Sequence, residues 1–169
     1  MKPINFNWEE KVTVKKGNFA EDIVREYLEG KGFIVYEPIT AAAHGFDKLA
    51  VKDKKQFVIA ECKAKAKRKY FDDTGFNIKH YMEYKYAEKK HNIPVFIFFI
   101  DEHLEEIYGN WLSELEKPYI EINKPYGEYP IKNKSIIYFP MHNMRRNLYK
   151  LSKEQVKYLR THSTRNYDY

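Results

Sequence analysis

The stretch Pro94-Val95-Phe96-Ile97-Phe98-Phe99-Ile100 sets six apolar residues in unbroken succession behind a proline. A strand turns its side chains alternately to two faces, so a run with no polar position must be covered on both. The segment before it supplies one cover. Asn77 to His91 carries Ile78, Tyr81, Tyr84, Ala87 and His91 along one side at helical spacing. A helix feeding a doubly buried strand points to an α/β protein with a sheet between helical layers.

Two more strands are predicted upstream. In Gln56 to Lys65 the run Phe57-Val58-Ile59-Ala60 leaves the polar turn Asp53-Lys54-Lys55-Gln56. Period-two alternation puts Phe57, Ile59, Glu61 and Lys63 on one face and Val58, Ala60, Cys62 and Ala64 on the other. Asp47 to Lys52 also alternates, and the intervening turn is short enough for an antiparallel hairpin that brings Asp47 toward Glu61. Before this hairpin, Phe19, Ala20, Ile23, Val24, Tyr27 and Leu28 predict a helix, with Asn18 as N-cap and Gly30 and Gly32 bracketing its stop. Glu21 sits at the edge of that apolar stripe, where a glutamate can either reach inward or remain a first-turn acid complementing the helix dipole.

Phosphodiester hydrolysis needs such a trio of Asp47, Glu61 and Lys63. Two carboxylates and a backbone carbonyl such as that of Cys62 offer Mg²⁺ hard oxygen ligands and leave room for water and phosphate. The Lys63 ammonium, in reach of the same phosphate, can orient the attacking water and stabilise charge. An acid-x-lysine triplet alone equally describes a solvated strand face. Here it follows an apolar run, opposes an acid on a paired strand, and comes after a capped helix.

From about Gly17 to Ile100 these features resemble the PD-(D/E)XK nuclease superfamily, whose restriction-endonuclease-like fold is shared by archaeal-type Holliday junction resolvases. Asp47 stands at the family's first metal-binding acid, Glu61 at the second, and Lys63 at the motif lysine; Phe46 replaces the proline that often precedes the first acid. Glu21, in Gly17-Asn18-Phe19-Ala20-Glu21, matches an acid that the family commonly carries on a helix before the sheet, in an outer-shell or second-metal role. The resemblance implies a mixed central sheet flanked by helices in the order α-β-β-β-α-β. It also implies a Mg²⁺-dependent DNA endonuclease, with Mn²⁺ able to substitute, acting in restriction, repair, recombination or phage DNA processing. Many members cut as dimers, which makes a homodimer the expected partner arrangement. The alternatives are a non-catalytic nucleic-acid-binding module and a nuclease subunit silent until a partner complex assembles.

A chain of 169 residues, 43% hydrophobic, is expected to form a single domain, with its core over about 17–116 and a C-terminal extension over about 117–169. The net charge of +6 suits a polyanionic partner. Lys65, Lys67, Arg68 and Lys69 continue from the motif, and Lys79, Lys85, Lys89 and Lys90 follow on the next helix. Of these, Lys65, Lys67, Arg68, Lys69 and Lys79 are the expected contacts to a DNA backbone.

The single cysteine rules out a disulfide within the chain, and Cys62 lacks the companions of a zinc or iron-sulfur site. No apolar h-region or membrane-length run is present, so a soluble intracellular protein is expected. The sequence holds no phosphate-loop motif, so no nucleotide cofactor is expected. Tyr81 and Tyr84 fall where such a nuclease could aim a residue at its site, but aromatics at that spacing read first as core. Asp72 and Asp73 read as turn and capping residues, with Asp73 or Thr74 opening the helix. An edge strand is predicted around Ile107, a short helix over Trp111 to Leu115, and a strand over Ser135 to Phe139. Ser152-Lys153-Glu154-Gln155 has capping-box spacing for a last helix through Leu159. The basic C-terminal part could serve as a DNA-contacting arm, a dimer element or ordinary surface.

Overall fold

The computed structural model of the chain describes residues 11–38, 46–53, 55–125 and 127–164. Helix α1 (Val12–Gly30) buries Ala20, Ile23, Val24 and Leu28, the stripe that its periodicity requires. It begins more than a turn before Asn18. Lys11 holds the N-cap position without a side-chain cap, and Asn18 is exposed inside the helix. Tertiary contact extends the helix beyond the capping signal, because Lys16 in its early turns is buried against Glu102 at 2.5 Å. The stop falls where the glycines put it. Gly32 at φ 83° lets its N–H reach Glu29 O (2.9 Å) and that of Phe33 reach Leu28 O (3.0 Å), a Schellman closure.

Three strands follow: β1 (Ile34–Tyr36), β2 (Lys48–Lys52) and β3 (Gln56–Lys63). Next come β4 (Asp73–Asn77), helix α2 (Ile78–His91) and β5 (Val95–Asp101). Strand β6 (Glu106–Trp111) and the short helix α3 (Leu112–Leu115) lead to β7 (Tyr119–Ile120), β8 (Glu128–Tyr129), β9 (Ile131–Asn133) and β10 (Ile136–Pro140). Strand β11 (Arg145–Lys150) and helix α4 (Lys153–Thr161) close the series. The predicted capping box opens α4, Ser152 and Gln155 each accepting the other's backbone N–H.

Six strands form the central sheet in the order β1-β2-β3-β5-β6-β11. Only β3 and β5 pair parallel, and α2 lies in the crossover between them; the other neighbours are antiparallel, so the sheet is mixed as expected. Every residue of β5 is buried, which is what its uninterrupted apolar run dictated. Val58, Ala60, Phe96, Phe98 and Ile100 face α1 and α4, while Ile59, Ile97 and Phe99 face α2 and the second sheet. The alternation read for β3 is therefore the one observed.

Two local readings are corrected. Asp73 and Thr74 do not open α2. They lie in β4, which joins a separate three-stranded sheet, β4-β10-β9, and the N-cap of α2 is Asn77, whose side chain accepts from the Lys79 N–H. Asp73 is fully buried, and the Arg68 guanidinium and the Tyr129 hydroxyl both donate to it. A buried carboxylate with this much compensation can sit in a strand despite its turn propensity. Strand β6 is not an edge, because β11, from the less legible C-terminal part, pairs along its outer side.

Candidate active site

The β2–β3 hairpin sets the geometry of the site. Its register pairs Lys48 with Ala60, so one step further Asp47 comes opposite Glu61. The Asp47 amide donates to Glu61 Oε1 at 2.9 Å, and the Cys62 amide donates to Asp47 Oδ2 at 2.8 Å. Each carboxylate is thus clasped by the backbone of the opposite strand and keeps a second oxygen for other partners. Glu61 is buried and Asp47 half-buried.

Lys63 lies two residues beyond Glu61 on the same face. Its Nζ is 3.4 Å from Glu61 Oε2 and donates to the Tyr84 hydroxyl at 2.7 Å. The same hydroxyl favours the charged form of the Glu61 carboxylate. Tyr84 is held by packing: it is buried, with its ring centroid 5.7 Å from that of Phe76. Helical spacing alone made Tyr81 and Tyr84 equivalent, and the structure separates them. Tyr81 donates to Glu116 at 2.8 Å, bracing α2 against the end of α3, while Tyr84 joins the site.

The electrostatics describe a carboxylate pair short of positive charge. Burial, and then the charge of Asp47, push Glu61 up to about 8, against the opposing pull of Lys63, Tyr84 and the Asp47 amide. Burial and Glu61 together raise the Tyr84 phenol. Burial also holds the Cys62 thiol well above its ordinary value, so Cys62 acts as a packed side chain against the α1 face rather than as a nucleophile. Two adjacent carboxylates, each fixed by an amide and one of them desolvated, are a donor set that fits a hard divalent cation. Among the described residues no group of three metal-ligating side chains converges. Mg²⁺ commonly takes one or two carboxylates and completes its shell with water and phosphate oxygens, so two suffice.

Glu21 reaches this region from α1 but does not stand alone there. Burial and the charge of Asp47 raise its carboxyl, while Lys48, 3.4 Å from its Oε2, lowers it. Lys48 was not singled out from the sequence. Its ammonium donates to Glu37 Oε1 at 2.7 Å, and its side chain is only 1% exposed. Burial pulls its pKa down, but the hydrogen bond to Glu37 and the charges of Glu37 and Glu21 raise it on balance. The available signal was phase: Lys48 shares a strand face with Ala50, a core position.

The expected backbone contacts are spread along the segment after β3. Lys65 is half-buried and lines a cleft of about 380 Å³ with Lys63, with Thr13 and Gly17 of α1, and with His162 beyond α4. The Lys67 amide donates to Asp101 Oδ2 at 2.7 Å, and its ammonium is 3.3 Å from Asp72. Arg68 clasps Asp73 and stacks between Phe71 and Tyr138, so its guanidinium has a structural task. Lys69 is exposed, with its ammonium 5.6 Å from the Tyr70 ring centroid. Lys79 is exposed on the first turn of α2, 4.0 Å from Glu83. Lys67, Arg68 and Lys69 line one cleft together with Arg160, and Asp72 and Asp73 offset part of their charge.

No protein-family model matches the sequence, and no curated protein does. Among solved structures, the chain is similar to Hjc, a Holliday junction resolvase of the archaeal hyperthermophile Archaeoglobus fulgidus. The TM-score is 0.53 at 8% identity, over 76% of this chain and 86% of that one. A nuclease from a fusselovirus matches with a TM-score of 0.41 at 12% identity, over 85% of this chain and 87% of that one. The likeness to the resolvase is one of fold: this chain has the restriction-endonuclease-like architecture expected for it. Among the described residues no helix is long and apolar enough to cross a membrane.

Proposed function

We propose that the chain is a metal-dependent nuclease that hydrolyses DNA phosphodiester bonds at the open end of the β2–β3 hairpin. The observation that carries this reading is the reciprocal clasp of Asp47 and Glu61, with Lys63 set against Glu61 by Tyr84. Asp47, Glu61 and the Cys62 carbonyl would hold Mg²⁺, or Mn²⁺ in its place. A divalent ion supplies Lewis-acid polarisation of a phosphoryl oxygen and of the attacking water. The clasp holds both carboxylates in place before substrate arrives. Lys63 offers its ammonium to the phosphate and the incoming water, and Tyr84 fixes where that ammonium sits. Glu21 supports the two inner acids from α1. Lys65, Lys67, Lys69 and Lys79, with Arg68 partly engaged by Asp73, carry the DNA backbone away from the cut.

The fold likeness to a Holliday junction resolvase makes a four-way junction one substrate to test, beside supercoiled plasmid, linear duplex and single strand. Internal cutting and a homodimer with two sites belong to the same proposal. Metal-dependent cleavage that is lost in both Glu61→Gln and Lys63→Ala, with DNA binding retained, is the expected outcome. Salt-sensitive binding without cleavage of any substrate would instead favour a binding module, and cleavage that appears only with added partners a subunit of a larger complex.

A further inference from the structure

Two clefts open along the segment 63–69, and the end of α4 forms a wall of both. In the first, of about 380 Å³, Lys63 and Lys65 share the lining with His162, Ser163 and Thr164, and α1 adds Lys16 and Gly17. In the second, of about 330 Å³, Lys67, Arg68 and Lys69 share it with Arg160 and His103. Five cations in seven residues, from Lys63 to Lys69, thus lie along one side. Residues 160–164 supply the other.

The carboxylates closest to these clefts are engaged by the scaffold. Asp101 is fully buried and accepts from the amides of Lys67 (2.7 Å), His103 (2.8 Å) and Leu104 (3.0 Å) and from the Tyr108 hydroxyl (3.2 Å). Glu102, also fully buried, takes the Lys16 ammonium at 2.5 Å, and Lys16 reaches Ser163 Oγ at 3.5 Å. These bonds fix the 101–104 turn to Lys67 and α1 to the residue after His162, while the exposed rims keep their cations. Asp72 and Glu105 offset one cation each, at 3.3 Å from Lys67 and from Arg160.

The two principal side chains on the α4 wall are oriented before any ligand arrives. Arg160 is exposed, yet its Nε and Nη2 both donate to the Glu102 carbonyl, at 3.1 and 2.9 Å. His162 Nδ1 lies 2.9 Å from the Tyr158 carbonyl, which can only accept, so Nδ1 carries the proton and Nε2 is the nitrogen turned from the helix backbone. The imidazole stacks on Tyr158 at 4.1 Å, and Tyr158 packs on Phe19 at 4.1 Å. Side chains held this way lose little further freedom on binding.

We propose that the end of α4 is the second wall of a track for the DNA backbone. A strand leaving Lys63 passes first between Lys65 and His162 and then between Lys67 and Arg160, with its phosphates contacted from both sides. The inference rests on the reading of the chain as a protein that acts on DNA, and it assigns the basic C-terminal part to the substrate. Contacts to phosphate add affinity and register without base preference.

The test is fluorescence-anisotropy titration of a labelled linear duplex and a labelled four-way junction with the full chain in chelator, repeated over a series of salt concentrations. Arg160→Gln is expected to weaken binding several-fold and to reduce the slope of log affinity against log salt by about one, the value of one phosphate contact. An Arg160 that only braced the fold would lower the melting temperature and leave that slope unchanged. Thr164→Glu places a carboxylate at an exposed position in the first cleft and should weaken binding about tenfold. Lys157→Glu makes a larger change of charge at an exposed position of the same helix that lines neither cleft. Screening over about 8 Å at physiological salt should keep its affinity within about twofold of wild type. Where Arg160→Gln melts below the assay temperature, Thr164→Glu carries the test. Wild-type affinity in Thr164→Glu, an unchanged salt slope in folded Arg160→Gln, or an equal loss in Lys157→Glu would overturn the inference and leave the proposed active site untouched. A wild-type chain that binds neither DNA would overturn the DNA reading itself, and this inference with it.

Discussion

Tyr84→Phe removes one oxygen and leaves the rest of the site in place. The ring keeps its contact with Phe76, and the Lys63 ammonium keeps its place 5.0 Å from the ring centroid. What disappears is a hydroxyl that accepts from Lys63 at 2.7 Å and favours the charged form of the Glu61 carboxylate. Hydrogen bonds to charged partners contribute about 1.5–3 kcal/mol each. The loss is partly offset, because Lys63 and Glu61 already stand 3.4 Å apart and can close on each other. A net cost of about 2 kcal/mol follows, which for a domain of this size lowers the melting temperature by roughly 4–8 °C. If the same bond places Lys63 for the chemical step, the single-turnover cleavage rate falls about 30-fold. DNA affinity should not change, since Tyr84 is buried. Thermal melts in chelator and single-turnover cleavage at saturating protein measure the two effects separately. Wild-type values in both would refute the role given to the hydroxyl; a loss as large as that of Tyr84→Ala would show that the oxygen, not the ring, carries the whole effect.

Other perturbations test the frame around the site. Asp73→Ala leaves the Arg68 guanidinium and the Tyr129 hydroxyl without their buried acceptor and should cost about 3–5 kcal/mol by chemical denaturation, whereas Tyr129→Phe should cost only about 1 kcal/mol. A Cβ at Gly109 would overlap the Ile97 carbonyl across the β5–β6 pair, so Gly109→Ala should destabilise by about 1–3 kcal/mol; at Gly17, inside α1, a Cβ meets nothing, and Gly17→Ala should stabilise by about 0.5–1 kcal/mol. Ser152→Ala removes the cap of α4 and should cost about 1 kcal/mol in the same assay. In chelator, stability should fall as pH rises from 4.5 toward about 8, because folded Glu61 holds its proton more tightly than the unfolded chain does; Glu61→Gln should flatten that dependence.

These variants separate two kinds of support. Asp73, Gly109 and Ser152 act on the scaffold, and their effects should appear in unfolding with DNA binding intact in whatever protein remains folded. Tyr84 acts on the direction of the Lys63 ammonium. The hairpin clasp links the two, because the amides of Asp47 and Cys62 belong to the scaffold and their acceptors to the proposed site.

Local pattern was enough to define the central strands and the main acids. An apolar run without a polar break leaves no choice but burial on both faces, so β5 and its covering layers followed from Val95 to Ile100 alone. Period two decided that Glu61 and Lys63 share a face, and a short polar turn decided that Asp47 meets Glu61. Gly32 and Ser152 are likewise signals read over four or five residues. What escaped depended on partners distant in sequence. Asp73 has the propensity of a turn residue, and only Arg68 and a tyrosine 56 positions away let it sit in a strand. The start of α1 moved because Lys16 found Glu102, 86 positions on. Tyr84 and Tyr81 carry the same periodic signal, and only the packing of α2 on the sheet sends one hydroxyl to Lys63 and the other to Glu116. Lys48 shows the limit most plainly: a strand's alternation can place an ammonium inside, but whether two carboxylates wait for it there is decided by helix and loop arriving from elsewhere in the chain.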